Sequence, residues 1–347
     1  MSLRRISGAV AGVVLVSLLS KTYAMDIHAL TRIGRNLTRE EVATLEKNIE
    51  QSPGDVESRT KLLGYYFGKG FQDPSAREAK QRHVLWLIEN SPESEVLSLP
   101  YAELDAILDA AAYLRGKKAW IDHLEQQPEN LKLLENSSNY FLMHDRDLAI
   151  ESLEKARSLN PENPQWPAAL GQVYSLEMGI ASQKARSDFA KKSLEQLELA
   201  YDLSTDKARE ALLDRLAKSA LESGETAKAR KYAEQMLSQN VDGWNHGNNI
   251  HHGNLILGRI ALAADDLDTA KVRLIEAGKT PGSPQLNSFG PNMTLAKELL
   301  QKGEKDVVLE YFELCSKFWG RGETRLAEWS ALVEDDKIPD FRANLNY

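Results

Sequence analysis

The sequence predicts an all-α protein built from a repeated helical unit. Three observations lead to this prediction. Ala, Leu, Glu and Lys dominate, and runs of β-branched residues are scarce beyond the N-terminus, which favours helix. Small residues recur at coupled offsets along most of the protein. The 347 residues include only 1 cysteine, so the fold must be held by packing and not by an intramolecular disulfide.

The N-terminal segment, residues 1–24, has the layout of a secretory signal peptide. Arg4 and Arg5 form a positive region, residues 6–20 are uncharged and mostly apolar, and Thr22 and Ala24 offer small side chains for cleavage. The apolar run is shorter than the ~20 residues that a membrane-spanning helix needs, although an uncleaved N-terminal anchor stays open as an alternative. We therefore expect an exported protein, periplasmic or secreted, without stable membrane insertion after cleavage of the signal.

The charge of the protein narrows the classes of partner. The formal net charge is -8, and removing residues 1–24 deletes 3 basic residues and no acidic one, which leaves 40 basic and 51 acidic residues. No basic stripe with interleaved aromatic residues is present, so nucleic acid is not expected as a partner. An acidic surface is also unsuited to anionic lipid.

After the signal, residues 25–54 should hold one leading helix. Thr38 is the predicted N-cap, since its hydroxyl can accept from the first free backbone N–H groups, and Glu40 and Glu41 follow it in the first turn.

The repeat is the strongest signal in the sequence. Its first helix carries a small residue, and its second helix carries a pair of mostly small residues seven positions apart. The first-helix residues are Gly64, Ser137, Gly171, Ala217, Gly258 and Ala296. The second-helix pairs are Ala79/Trp86, Ala149/Ala156, Ser193/Ala200, Ala229/Met236, Ala270/Ala277 and Val308/Cys315. From the first-helix residue to the pair is 12 residues in 4 of the 6 units, with 15 in the first and 22 in the third.

These offsets resemble those of the tetratricopeptide repeat. Trp166, Gly171 and Tyr174 match its first helix, while Ala156 and Pro161 match the end of its second. Ser137 and Gly171 are 34 residues apart, which is the length of its unit. Small residues let neighbouring helices approach closely. The resemblance covers roughly residues 55–320 and implies a right-handed solenoid of antiparallel helical hairpins with a concave groove; it implies no chemistry.

The resulting domain organisation departs from a regular array in three places. Residues 55–92 form a degenerate repeat, because Trp86 stands where a small residue is expected. Residues 93–128 fit the pattern less well and are predicted to form a divergent helical hairpin, with helices over 106–114 and 117–126. Residues 129–320 hold the regular repeats, and residues 321–347 hold a capping helix over 323–334 and an irregular tail.

The resemblance also implies which residues line the groove. Lys218, Arg259 and Lys297 occupy the same position in three consecutive first helices, so we expect a row of cations that attracts an acidic peptide or the C-terminus of a partner protein. The other predicted partner-binding residues are Gln172, His252, Phe141 and Trp244. The alternative is that these Lys and Arg side chains simply solvate a helix face, with Asp214 neutralising Lys218 from one turn away.

Residues 242–254 (DGWNHGNNIHHGN) are rich in His, Asn and Gly, and they are predicted to form a loop because this part of the sequence is seven residues longer than the 34-residue unit allows. His246 and His251 are weak candidates for metal ligands, because a metal site needs three or four convergent ligands and no cysteine joins them. A polar loop of turns is the alternative. Residues 280–294 (TPGSPQLNSFGPNMT) form a second extension, and both extensions should lie along one edge of the array, with Trp244 and Phe289 exposed or buried there.

No phosphate loop, dinucleotide fingerprint, zinc-protease motif or nucleophile elbow appears, so we expect neither an enzyme nor a cofactor. Cys315 falls at a core position and should be a small buried residue. The expected function is a protein-binding scaffold. An enzyme or metal-binding protein centred on residues 242–254, and a self-associating structural scaffold, stay open as alternatives.

Overall fold

The computed structural model describes residues 26–239 and 245–345, and the protein divides after Glu103 into two compact units. The described residues form 17 α-helices and no β-strand, which confirms the all-α prediction. None of the helices in these residues is long and apolar enough to span a membrane. The predicted signal segment, residues 1–24, lies outside the described residues.

The described part of the first unit contains helices α1 (Ile27–Arg35), α2 (Arg39–Gln51), α3 (Val56–Lys69) and α4 (Pro74–Asn90), and two 3-10 turns at Glu95–Ser98 and Pro100–Ala102. The prediction of one leading helix is wrong, because a capping box starts a new helix. The Thr38 hydroxyl accepts from the Glu41 backbone N–H at 3.2 Å, and the Glu41 carboxylate accepts from the Thr38 N–H at 2.8 Å. Thr38 is thereby confirmed as an N-cap.

Helices α3 and α4 pack together as the predicted degenerate repeat. A Cβ atom on Gly64 would lie 2.3 Å from the Thr31 carbonyl oxygen, so α1 and α3 touch backbone to backbone at this glycine. Trp86 is tolerated at its unusual position because it is only partly buried and the Arg59 guanidinium lies over its ring, 3.8 Å from the centroid.

The predicted hairpin within residues 93–128 is wrong, because these residues contain one helix, α5 (Ala110–Gln126). Gly116, which lies between the two predicted helices, is buried in the middle of α5 together with Tyr113 and Trp120. These three residues share one face of a continuous helix. The Tyr113 ring stacks on Tyr140 of α6 (Leu131–Phe141) with centroids 5.0 Å apart. The apolar face of α5 therefore packs on α6 and not on a second helix within residues 93–128.

The second unit continues in a regular order. Its remaining helices are α6 (Leu131–Phe141), α7 (Arg146–Leu159), α8 (Gln165–Ile180), α9 (Gln183–Leu203), α10 (Asp206–Glu222), α11 (Thr226–Ser238), α12 (His246–Ala263), α13 (Leu267–Gly278), α14 (Pro284–Phe289), α15 (Thr294–Gln301), α16 (Lys305–Ser316) and α17 (Glu323–Glu334). Helices pack in the pairs α6–α7, α8–α9, α10–α11, α12–α13 and α15–α16, and each pair packs on the next. This is a solenoid of helical hairpins.

The repeat positions found in the sequence lie in the interior of the protein. All six first-helix small residues are buried, and so is every member of the second-helix pairs except Trp86. A Cβ atom on Gly171 would lie 2.6 Å from the Leu197 Cγ atom, which shows how closely α8 and α9 approach. The regular spacing of these small residues in the sequence therefore corresponds to the positions where neighbouring helices pack together.

The C-terminal part of the second unit contains the capping helix that the sequence predicts. Helix α17 has the predicted bounds, and its Trp329 and Val333 are buried in a cluster with Phe312. Cys315 is completely buried in the same cluster, as predicted, and burial raises the pKa of its thiol. The tail is irregular except for a short 3-10 turn at Arg342–Leu345.

Residues 246–254 are helical, so the prediction of an inserted loop is wrong for this part of the segment. Helix α12 begins at His246, and its extra turns bury their amide side chains against polar partners. Asn249 donates to the Gln239 side-chain oxygen at 2.9 Å, and Asn254 donates to the Ile250 carbonyl at 2.9 Å. Inward-facing amides with satisfied hydrogen bonds thus replace the expected turns.

Candidate functional site

A polar cavity of about 300 Å³ lies in the second unit, between α10, α12 and α15, with one residue from α9. We call it the ionic cavity. Its charged and titratable lining residues are Arg186, Asp214, Lys218, Glu222, His252, Arg259 and Glu298. Leu255, Ile256 and Leu345 add an apolar part to its wall. The cavity therefore combines both signs of charge with an apolar surface.

Helical spacing explains why the charges converge. Asp214, Lys218 and Glu222 are four residues apart on α10, so they lie on one face, with about 6 Å between successive turns. His252 and Arg259 are seven residues apart on the facing side of α12. Two side-chain contacts cross from α10 to α12, the hydrogen bond between His252 and Asp214 and the ion pair between Arg259 and Glu222, and all four residues line the cavity.

Four of the charges form an alternating ion-pair ladder across four helices. Arg186 of α9 donates to the Glu222 Oε2 atom at 2.7 Å, and Arg259 of α12 donates to the Glu222 Oε1 atom at 2.9 Å. The Arg259 Nε–H also reaches both carboxylate oxygens of Glu298 on α15, at 3.0 and 3.2 Å. The order of the ion-pair ladder is therefore Arg186, Glu222, Arg259, Glu298.

The environment shifts the pKa values of the cavity groups in different directions. Burial alone would raise the pKa of Glu222, but hydrogen bonds from Arg259 and Arg186 lower it below its ordinary value. Burial raises the pKa of Glu298, because Arg259 only partly compensates for the loss of water. Burial also lowers the pKa of Lys218, although neighbouring carboxylates oppose this. Glu298 is thus the carboxylate of the ladder whose negative charge is least well compensated.

His252 and Asp214 form a separate pair at the other end of the cavity. The His252 Nδ1 atom lies 2.9 Å from the Asp214 Oδ1 atom. Burial would raise the pKa of Asp214, but the charge of His252 and this hydrogen bond lower it to about 2. An ionised carboxylate can only accept, so Nδ1 carries the proton. The Nε2 atom of His252 is buried and has no hydrogen-bond partner in the described residues, so it can accept a hydrogen bond from a ligand.

The predicted cation row is only partly assembled. Lys218 and Arg259 line the ionic cavity, but Lys297 does not, although it is close enough to Glu298 to affect its pKa. Arg259 is held between two carboxylates, so part of the positive charge of the predicted row is neutralised within the protein. Glu222 was detectable from its spacing one turn after Lys218. Arg186 and Glu298 were not, because they lie on different helices, at positions that the groove pattern does not mark.

The other predicted partner-binding residues have different positions. His252 lines the ionic cavity, whereas Gln172 is partly exposed on α8 and lies outside the cavity lining. Phe141 is completely buried, so its prediction as a surface contact is wrong; its ring packs edge-to-face on Tyr140 in the core. Trp244 lies outside the described residues.

His251 and His246 do not form a metal site. His251 is buried; its Nε2 atom accepts from the Asn292 backbone N–H at 3.1 Å, so its Nδ1–H donates to the Ala277 carbonyl at 3.1 Å. Burial lowers its pKa to about 3, and it is a neutral bridge between helices. Within residues 26–239 and 245–345, no three His, Cys, Asp or Glu side chains are arranged to bind a metal ion. Neither histidine is therefore supported as a ligand.

The two polar extensions lie side by side, as predicted. Asn248 at the start of α12 donates to the Gln285 side-chain oxygen at 3.0 Å and accepts from the Ser283 hydroxyl at 2.6 Å. The Thr280 hydroxyl donates to the Gly247 carbonyl at 2.7 Å. Phe289 on this edge is exposed. The segment after it also receives the C-terminal tail, since Met293 donates its N–H to the Asn344 carbonyl at 2.8 Å, next to the ionic cavity.

Comparison of the sequence with models of known protein families gives no match, and comparison with curated proteins gives no significant relative. The function is therefore argued from the repeat pattern and from the geometry of the ionic cavity.

Proposed function

We propose that the protein is an exported scaffold of the tetratricopeptide type that binds a partner protein through the ionic cavity. The observation that carries this proposal is that the cavity lies between α10, α12 and α15, the first helices of three consecutive hairpins. In tetratricopeptide proteins this is the set of helices that lines the groove. The burial of the coupled small positions supports the same assignment.

The proposed ligand is an acidic or carboxylate-ended peptide. Arg186 donates its Nε–H to Glu222, and its remaining guanidinium N–H groups are donors for a ligand carboxylate. His252 adds its buried Nε2 atom, which can accept a hydrogen bond from a backbone N–H of the peptide. Leu255 and Ile256 supply apolar contact for the side chain next to that carboxylate. A cavity of about 300 Å³ is at the lower limit of ligand sites, which suits the end or one side chain of a peptide.

Export is the second part of the proposal, and it rests on the signal layout of residues 1–24. The proposed mature protein starts after Ala24 and acts in the periplasm or outside the cell. Fractionation of producing cells tests this part. Mature protein shortened by the signal in the extracytoplasmic fraction is expected, and full-length protein retained in the cytoplasm would contradict it.

Affinity capture with a matched pair of variants tests the binding proposal. Lys218→Gln removes a cation from the cavity, whereas Lys191→Gln removes one from the exposed surface of α9. The immobilised mature protein and its K191Q variant should retain the same partner from an extracytoplasmic extract, and K218Q should retain about tenfold less, as expected for loss of one charge-assisted contact. Equal retention by all three proteins would refute the role of the cavity, provided that circular dichroism shows all three folded.

A further inference from the structure

The ion-pair ladder has two chemically different ends. Within the part of the protein that the structure describes, Arg186 at one end is paired with Glu222 alone, and Glu298 at the other end is paired with Arg259 alone. The two central groups, Glu222 and Arg259, each have partners on both sides. An alternating row of two cations and two anions therefore has a cationic end and an anionic end.

The helices place these ends on opposite sides of the ionic cavity. Helix α9 packs on α10, α10 packs on α12, and α12 packs on α15, so Arg186 and Glu298 come from the first and last helices of this series. Lys218 is close enough to Arg186 for their charges to interact, which adds a second cation near that side. The cavity thus has a direction, from cation at α9 to anion at α15.

A purely acidic ligand does not complement this arrangement. It would gain contacts at Arg186, but farther along the cavity it would meet the carboxylate of Glu298, which is the least compensated group of the ladder. Like charges brought together across an interface oppose binding and exclude wrong partners. A ligand with a cation at that point would complete the pairing of both ends.

We infer that the partner segment carries both signs of charge, with an acidic group that binds at Arg186 and a basic group that binds at Glu298. This inference rests on the proposed function, because it names the ligand of the same cavity. It narrows the proposed acidic or carboxylate-ended ligand to one in which an acidic group and a basic group follow each other in a fixed direction.

Synthetic peptides test this inference directly. The probes are N-acetylated, C-amidated peptides with one glutamate and one lysine separated by about two to four residues, since an extended peptide advances about 3.3 Å per residue. Each spacing is made in both orders, and peptides with two glutamates or two lysines serve as controls. Calorimetry with the mature protein should give one order of the mixed peptides that binds about tenfold more tightly than the reverse order and the diglutamate peptide.

The variant Glu298→Gln separates the possible outcomes. It should weaken the preferred mixed peptide about tenfold while leaving the diglutamate peptide unchanged or tighter, because a repulsive group has been removed. The control Glu195→Gln, on the exposed face of α9, should change neither affinity. The inference is overturned, and the proposed function is not, if the diglutamate peptide binds as tightly as the mixed peptides. The same conclusion follows if E298Q changes the affinity of neither peptide. Absence of binding by every peptide also overturns the inference, whereas the proposed function is overturned only by equal retention of the partner in the affinity capture.

Discussion

Replacing Arg259 by methionine removes the cation that two carboxylates of the ionic cavity share. The side chains of Arg259, Glu222 and Glu298 are 25%, 13% and 30% exposed, so the ion pairs are largely shielded from water. Glu222 keeps Arg186, but Glu298 loses its only ion-pair partner among the described residues. Breaking a buried pair typically costs 3–5 kcal/mol, and the partial exposure here favours the lower limit. We expect a loss of about 3 kcal/mol in the free energy of unfolding at pH 7.

Urea unfolding of the mature protein, followed by circular dichroism, measures this loss. The control is Arg230→Met on the exposed face of α11, which should cost less than about 0.5 kcal/mol. The double variant R259M/E298Q should recover about 1–2 kcal/mol of the loss, since the unpaired carboxylate is gone. A cost for R259M no larger than that for R230M would refute the energetic importance of the ion-pair ladder.

The same variant has a pH dependence with a definite sign. The raised pKa of Glu298 means that the folded protein holds this proton more tightly than the unfolded state, so its contribution is favourable at low pH and is lost as pH rises. The lowered pKa of Glu222 has the opposite sign, so its contribution is present at neutral pH and is lost as pH falls. Removing Arg259 makes the contributions of both carboxylates to the stability less favourable at pH 7, because both lose a hydrogen-bonded cation. The difference between R259M and the unmodified protein should therefore shrink on acidification from pH 7 to pH 4.

Three further predictions concern packing and titration in the rest of the protein. Gly64→Ala should destabilise the first unit by more than about 1 kcal/mol, because its Cβ would lie 2.3 Å from the Thr31 carbonyl, whereas Gly68→Ala in the same helix meets no described atom within 4 Å and should stabilise it. His251 has a pKa lowered to about 3, so it should make stability fall below pH 6.5 by up to about 1.4 kcal/mol per pH unit, and His251→Gln should flatten this slope in pH-dependent unfolding. Cys315 should react with a thiol reagent only on unfolding, and labelling of the native protein at the rate of a free thiol would contradict its burial.

Local sequence signals predicted the helices and their packing well. The capping sequence at Thr38 and the small residues at Gly171 and Ala217 act over one helix or one hairpin, where spacing alone determines which side chains meet. The same kind of reasoning failed within residues 93–128, where two helices were predicted on either side of Gly116. In the structure that glycine is buried within α5, where the aromatic face it shares has a partner in the next helix.

The ionic cavity was harder to predict, because its groups come from distant parts of the sequence. Arg259 and its partners Glu222 and Glu298 are 37 and 39 residues apart, and Asp or Glu residues occur on most of the described helices. Sequence spacing therefore located Lys218 and Arg259 but could not reveal which acids neutralise them. Similarly, His251 and His252 are adjacent in sequence, but only the packing of α12 shows that one is a buried bridge and the other lines the cavity.

Site-specific photocrosslinking tests the central claim that the ionic cavity binds a partner. A photoreactive phenylalanine analogue replaces Thr294 in the cavity wall or Lys191 on the exposed face of α9, and the protein is irradiated in the cells that produce it. Irradiation should give a crosslinked adduct from position 294 and none from position 191, and Lys218→Gln should abolish it. Adducts of equal yield from both positions, or a partner captured from position 191 alone, would contradict this claim.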